Sequence, residues 1–181
     1  MINSKSDYLN FLKEDLVHAN ITRWRFWMIF QHPTIYFTRT LRRFEYYKNC
    51  RNDFLGRSLG VLYKLHFRLL SIYLGYTIPP NTCGPGLKLN HWGTIVISPE
   101  ARIGCNARIN VCVNIGLKDG RAPTIGDSVY IGPGAKLFGG IQIGNNVSIG
   151  ANAVVNKSCP DDVTLVGVPA RILRDQSVVK L

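Results

Sequence analysis

Of the four histidines in the sequence, His18, His32 and His66 fall in a stretch patterned as helix, and His91 alone stands in the glycine-rich second half. An imidazole titrates near neutral pH, so a histidine held beside an alcohol can take its proton as the oxygen becomes a nucleophile. The five cysteines (Cys50, Cys83, Cys105, Cys112 and Cys159) are odd in number and show no zinc-like spacing. That pattern argues against a metal site or a disulfide framework and points to a reducing cytoplasm. No cysteine is evidently activated beside His91, so a covalent thiol intermediate is not expected.

The element that must carry His91 is a repeat. Ile-Gly dipeptides begin at 103, 115, 125, 131, 143 and 149, mostly six or twelve residues apart. Filling in the row gives Thr77, Cys83, Leu89, Ile97, Ile103, Ile109, Ile115, Ile125, Ile131, Leu137, Ile143, Ile149 and Val155. A period of six is neither helical nor simple strand alternation, so each unit is a short strand and a turn that recurs. Three units make one triangular turn of a parallel β-solenoid with the aliphatic residue inward, about four turns in all. The row is interrupted between Leu89 and Ile97, around His91, and between Ile115 and Ile125, around Arg121. Interruptions of a solenoid emerge as loops, where function tends to sit. The regular row is expected to end at Pro160-Asp161-Asp162.

Residues 1–75 are expected to be an α-helical segment, 76–165 the solenoid with its loop at 116–124, and 166–181 a tail. A first helix follows Ser6 as N-cap, a second runs from Pro33 through Tyr47, and a third from about Arg57 to Leu74 packs on the first coil. The helical segment is the more basic part, with 12 Lys and Arg against 5 Asp and Glu. Such an excess attracts anions, and the run Arg23-Trp24-Arg25-Phe26-Trp27 with Arg39, Arg42 and Arg43 suits contact with anionic lipid. No nucleic-acid-binding motif accompanies the charge. The N-terminus lacks the apolar core of a signal peptide, and Arg57, Lys64, His66 and Arg68 argue against a membrane span over 54–76. The expected location is the cytoplasm, at the inner face of the membrane if the basic segment docks there.

The stretch from Ile125 to Val155 resembles the hexapeptide-repeat acyltransferases, as does the closing Val166-Gly167-Val168-Pro169-Ala170-Arg171. The resemblance implies a left-handed coil and a homotrimer. Leu89-Asn90-His91-Trp92-Gly93-Thr94-Ile95-Val96-Ile97 is similar to the signature that carries the catalytic histidine of serine O-acetyltransferases. It implies acetyl-CoA as co-substrate, no metal, and His91 as general base in a direct attack. In trimeric relatives the histidine and much of the coenzyme groove come from different subunits. The small residues Gly132, Gly134, Ala135, Gly150, Ala151 and Ala153 would line that groove. Lys157, Arg171 and Arg174 would meet the coenzyme phosphates, and the Gly116 N–H is a candidate oxyanion donor.

The resemblance covers residues 77 to about 174 and fails at three acceptor-side positions. Asn90 replaces an aspartate, Ala122 a histidine, and Tyr76 or Thr77 the acid that orients the catalytic histidine, for which Glu100 is a candidate substitute. An amino-acid acceptor needs a carboxylate for its ammonium. These departures favour a sugar hydroxyl of a polysaccharide precursor, free or lipid-linked, met by Asn90, Trp92, Asn110, Asn114 and Arg121. The alternatives are a serine O-acetyltransferase of cysteine synthesis and a non-catalytic trimeric β-helix module.

Overall fold

A computed structural model describes residues 1–175, the side chains of 174 and 175 excepted. Four helices, α1 (Lys5–His18), α2 (Met28–Gln31), α3 (Pro33–Cys50) and α4 (Phe54–Leu74), precede a parallel β-solenoid. The first face stacks Tyr76–Thr77, Ile95–Ile97, Asn114–Gly116, Lys136–Phe138 and Val154–Val155. The second runs through Cys83, Arg102–Ile103, Thr124–Ile125, Gln142–Ile143 and Cys159. The third begins at Lys88–Leu89 and ends at Val163–Val166, against which Arg171–Asp175 folds back antiparallel. The coil therefore makes five turns rather than four. Pro160-Asp161-Asp162 is a corner that Cys159 and Leu165 carry the row across.

The core is the row of inward aliphatics, all nearly inaccessible, with Ala107, Val113, Val129, Ala135, Val147 and Ala153 two residues before the rungs. Burying each Ile, Leu or Val is worth roughly 1.5–3 kcal/mol. Where the coil turns from the second face to the third, Ile-Gly-Asp/Asn has a steric meaning. The side chains of Asp127, Asn145 and Asp161 accept the N–H of Cys105, Asp127 and Asn145 one coil earlier, at 2.6, 2.8 and 2.7 Å. A Cβ at Gly104, Gly126 or Gly144 would collide with those side chains and the backbone beside them. The glycine leaves room for the next coil's cap.

Three expectations shift. Thr77 is exposed, because Tyr76 pairs with Ile95; Tyr76 and Ile78 point inward instead. The first helix is capped by Ser4, whose Oγ accepts the Asp7 N–H at 3.0 Å, and Ser6 lies inside the first turn. The first coil is packed by two helices rather than one, by α3 through Phe37, Leu41 and Arg42 and by α4 through Phe67, Leu70 and Leu74.

The joint between helices and coil is polar at its centre. Arg42 is fully buried, and its guanidinium donates to Asp15, to Glu45 and to the carbonyls of Cys83 and Gly84. Asp15 also accepts the Leu87 N–H at 2.8 Å, and Glu45 the Asn81 N–H at 2.6 Å. Burial works against the charge of Arg42, but the two carboxylates outweigh it and hold the guanidinium above its ordinary pKa. One arginine thus ties α1, α3 and the first coil together.

Candidate active site

Eight residues separate Leu89 from Ile97, where six suffice in the coils at Ile109–Ile115, Ile131–Leu137 and Ile149–Val155. The two extra residues lift His91-Trp92-Gly93 out of the corner between the third and first faces. His91 and Trp92 are exposed, Trp92 at 65%. The bulge is anchored at three points. Asn90 donates its N–H to the Ile109 carbonyl (3.2 Å) and its amide to Asn110 (2.8 Å). Gly93 donates to the Leu74 carbonyl at 2.9 Å. Between them the Tyr76 hydroxyl donates to the His91 carbonyl at 2.7 Å.

Tyr76 therefore occupies the place, one coil before His91, where the resemblance implies an orienting acid. Its ring is 3% exposed and packs edge-on to Phe37 at 4.8 Å. Burial pushes the phenol well above the usual tyrosine range, so it stays a neutral donor. It acts on the backbone of His91. Glu100 stands at the far end of the strand Ile95–Ile97 that His91 precedes, where its N–H donates to the Ser98 hydroxyl at 3.3 Å.

The other expected site residues separate into groups. Asn90 and Asn110 form an asparagine pair, with Asn110 buried and bonded to the Ile131 carbonyl at 2.8 Å, so both amides serve the coil. Asn114 stands half-buried on the first face, in register with Val96 and Lys136. Arg121 lies on the loop leaving the other edge of that face, bridged to Lys118, with its side chain across Gly140. Ala122 packs against the core.

Several coenzyme-groove assignments acquire a packing reason. Ala135 is fully buried inside the prism with Ala153, so neither lines a groove. Gly132 is closed off by the backbone of residues 149–151, and Gly150 by Val166. Gly134 takes a left-handed φ of 75°, and a Cβ there would strike Asn152. Gly116 is paired with Phe138 inside the ladder, with the Phe138 ring against it; an oxyanion bound there would compete with strand pairing. Ala151 remains exposed on the same corner as His91.

Lys157 and Arg171 do converge. They line a cleft of about 470 Å³ at the end of the solenoid, with Asn156, Ser158, Pro169 and Ala170. Both cations are exposed. Arg174 pairs with Thr164 through its strand, its side chain lying outside the described residues. The cleft is a little over three coil spacings from His91, roughly 16 Å at ~4.8 Å per coil, and opens on a different corner. Among the described residues no group of three or more His, Cys, Asp or Glu side chains could hold a metal ion.

Comparison with known proteins adds names to this geometry. Residues 122–157 match the family model described as bacterial transferase hexapeptide (six repeats). The chain is 37% identical over 120 residues to a serine acetyltransferase of Synechococcus elongatus, covering 64% of this chain and 49% of that protein. It spans about half the length of the curated relatives it matches. A crystal structure of Neisseria gonorrhoeae serine acetyltransferase in complex with serine superposes with a TM-score of 0.73 at 26% identity, over 94% of this chain and 71% of that one. A serine acetyltransferase in complex with CoA gives 0.73 at 25% identity, over 93% and 71%. The chain thus carries the bacterial transferase hexapeptide repeat on a helix-capped parallel β-solenoid similar to that of solved serine acetyltransferases.

Proposed function

We propose that this protein is an acetyl-CoA-dependent O-acetyltransferase in which His91 is the general base. The observation that carries the reading is the two-residue bulge that presents His91 from an otherwise regular corner, pinned by Asn90, Tyr76 and Gly93. The acceptor hydroxyl gives its proton to the imidazole as its oxygen attacks the thioester carbonyl. The carbon–sulfur bond breaks, and the imidazolium returns the proton to the departing thiolate of coenzyme A. Lys157 and Arg171 would meet the coenzyme's phosphates, with Arg174 following them. Because His91 and these cations sit on different corners, a complete site joins the histidine of one chain to the basic cleft of another. A homotrimer meets that requirement.

The relatives favour L-serine as acceptor over the sugar hydroxyl that the sequence departures suggested, since the matched proteins are serine acetyltransferases and one is solved with serine. A sugar acceptor remains a second reading on one specific observation: Tyr76 and the paired amide of Asn90 stand beside the bulge where a carboxylate would receive an ammonium. Coenzyme A release from acetyl-CoA by the purified protein, with L-serine against nucleotide sugars, decides between them. His91→Ala should lower the rate by about 10²–10⁴ while coenzyme binding persists. Serine-dependent release that survives His91→Ala would refute the assignment of the base.

A further inference from the structure

Among the described residues, helix α4 packs one face on the core and leaves another uncovered. Leu62, Leu65, Leu69, Ile72 and Tyr73 are 57–84% exposed, and Phe54 at the start of the helix is 88% exposed. They recur at helical spacing along the length of the helix, a stripe about 30 Å long at 1.5 Å per residue. Arg57, Lys64 and Arg68, all exposed, run along one side of it. No acidic residue occurs between 54 and 74. Monomeric soluble proteins seldom leave an apolar patch of this extent uncovered.

We propose that the outer face of α4 docks on an anionic lipid surface. The charge pattern selects this occupant over a second copy of the chain. Antiparallel face-to-face pairing about a two-fold axis sets each flank of the helix against the same flank of its copy, so the basic row would meet itself. In parallel packing about a two-fold or three-fold axis the row would meet the opposite flank of α4, which offers no acid to receive it. An anionic headgroup layer takes apolar stripe and cations together, as interfacial amphipathic helices do. The helix does not cross the bilayer: no helix among the described residues is long and apolar enough.

A second exposed group adjoins this face. Tyr36 bonds His66 of α4 at 2.9 Å and stacks on Trp24, which leads into Phe26, Trp27 and Phe30, exposed at 76%, 46% and 90%. Arg25 covers the Trp27 ring at 5.3 Å. Aromatic and arginine side chains of this kind suit the headgroup zone.

The test is co-flotation of the full chain with phosphatidylglycerol-containing vesicles against phosphatidylcholine alone, at low salt. Binding is expected to the anionic vesicles only. Leu65→Glu/Leu69→Glu should abolish it, and Arg57→Gln/Lys64→Gln/Arg68→Gln should weaken it on the order of 100-fold, from about fivefold for each of the three surface cations. Both variants replace exposed side chains, and circular dichroism and sedimentation should show helix content and assembly unchanged. Failure of the wild-type chain to float overturns the proposal. So does a Leu65→Glu/Leu69→Glu variant that dissociates the assembly yet still floats, which would make the face a self-interface. Neither readout depends on acetyl transfer.

Discussion

Tyr76→Phe isolates one hydrogen bond. The substitution keeps the ring that packs on Phe37 and deletes only the hydroxyl that reaches the His91 carbonyl at 2.7 Å. A hydrogen bond of this kind contributes about 0.5–1.5 kcal/mol net. The bulge keeps its other two anchors, at Asn90 and Gly93, so the fold survives. If the bond holds the imidazole in its working position, the same 0.5–1.5 kcal/mol appears in the barrier, a loss in kcat of roughly 2- to 10-fold. The Michaelis constant for acetyl-CoA should not move, because the basic cleft lies several coils away. Burial keeps the phenol neutral, so the wild-type advantage should persist at every assay pH below the raised tyrosine range. The assay is steady-state thiol release across pH, paired with urea unfolding of the same variant. A fall in stability with kcat unchanged at every pH would show that Tyr76 braces the coil and does not position His91.

Four further outcomes follow from the same structure. Arg42→Met should destabilise the chain by about 3–5 kcal/mol in urea unfolding, because Asp15 and Glu45 lose their shared cation; a triple variant that also makes Asp15 and Glu45 apolar should recover much of that loss. Gly134→Ala should cost about 1–3 kcal/mol for its left-handed φ, and more where Asn152 must move, measured as a drop in thermal midpoint. Lys157→Ala and Arg171→Ala should each weaken coenzyme A binding by roughly 10-fold in calorimetry, the effect shrinking with added salt; unchanged affinity in both would place the phosphates elsewhere. Burial pushes the Cys83 thiol up to about 11, so at pH 8 it should resist alkylation while exposed Cys112 reacts, as mass mapping would show.

The solenoid was readable because its period is written in residues that can do little else: an inward aliphatic and, at the second corner, a glycine that makes room for the next coil's cap. Thr77 was misplaced because the first coil has only one neighbour to set its register, and an inward Tyr76 does not look like the aliphatics that follow. The five-turn count was missed because Val155 to Cys159 is four residues, which reads as the end of a period rather than a shortened corner. Helix starts and the short α2 depend on local bonds such as Ser4 to Asp7, which leave little trace in composition. The bulge that carries His91 was legible from its irregular spacing. The role of Tyr76 was not, since a phenol reaching a backbone carbonyl one coil away has no signature of its own. Ala135 was mistaken for a groove residue because a small side chain suits a packed prism as well as an open cleft.

The coil also works as a ruler. A residue on a corner is carried along the axis in steps of ~4.8 Å, and the caps at Asp127, Asn145 and Asp161 keep each step in register. The span from His91 to the basic cleft is therefore a whole number of coils plus a fixed offset, not an adjustable distance. Duplicating one regular turn would lengthen it by a single graduation without disturbing any rung, whereas inserting half a turn would rotate the two ends onto different faces. On the proposed reading, the length of coenzyme that such a molecule would span is counted in turns, and natural variation in it should come in units of one turn.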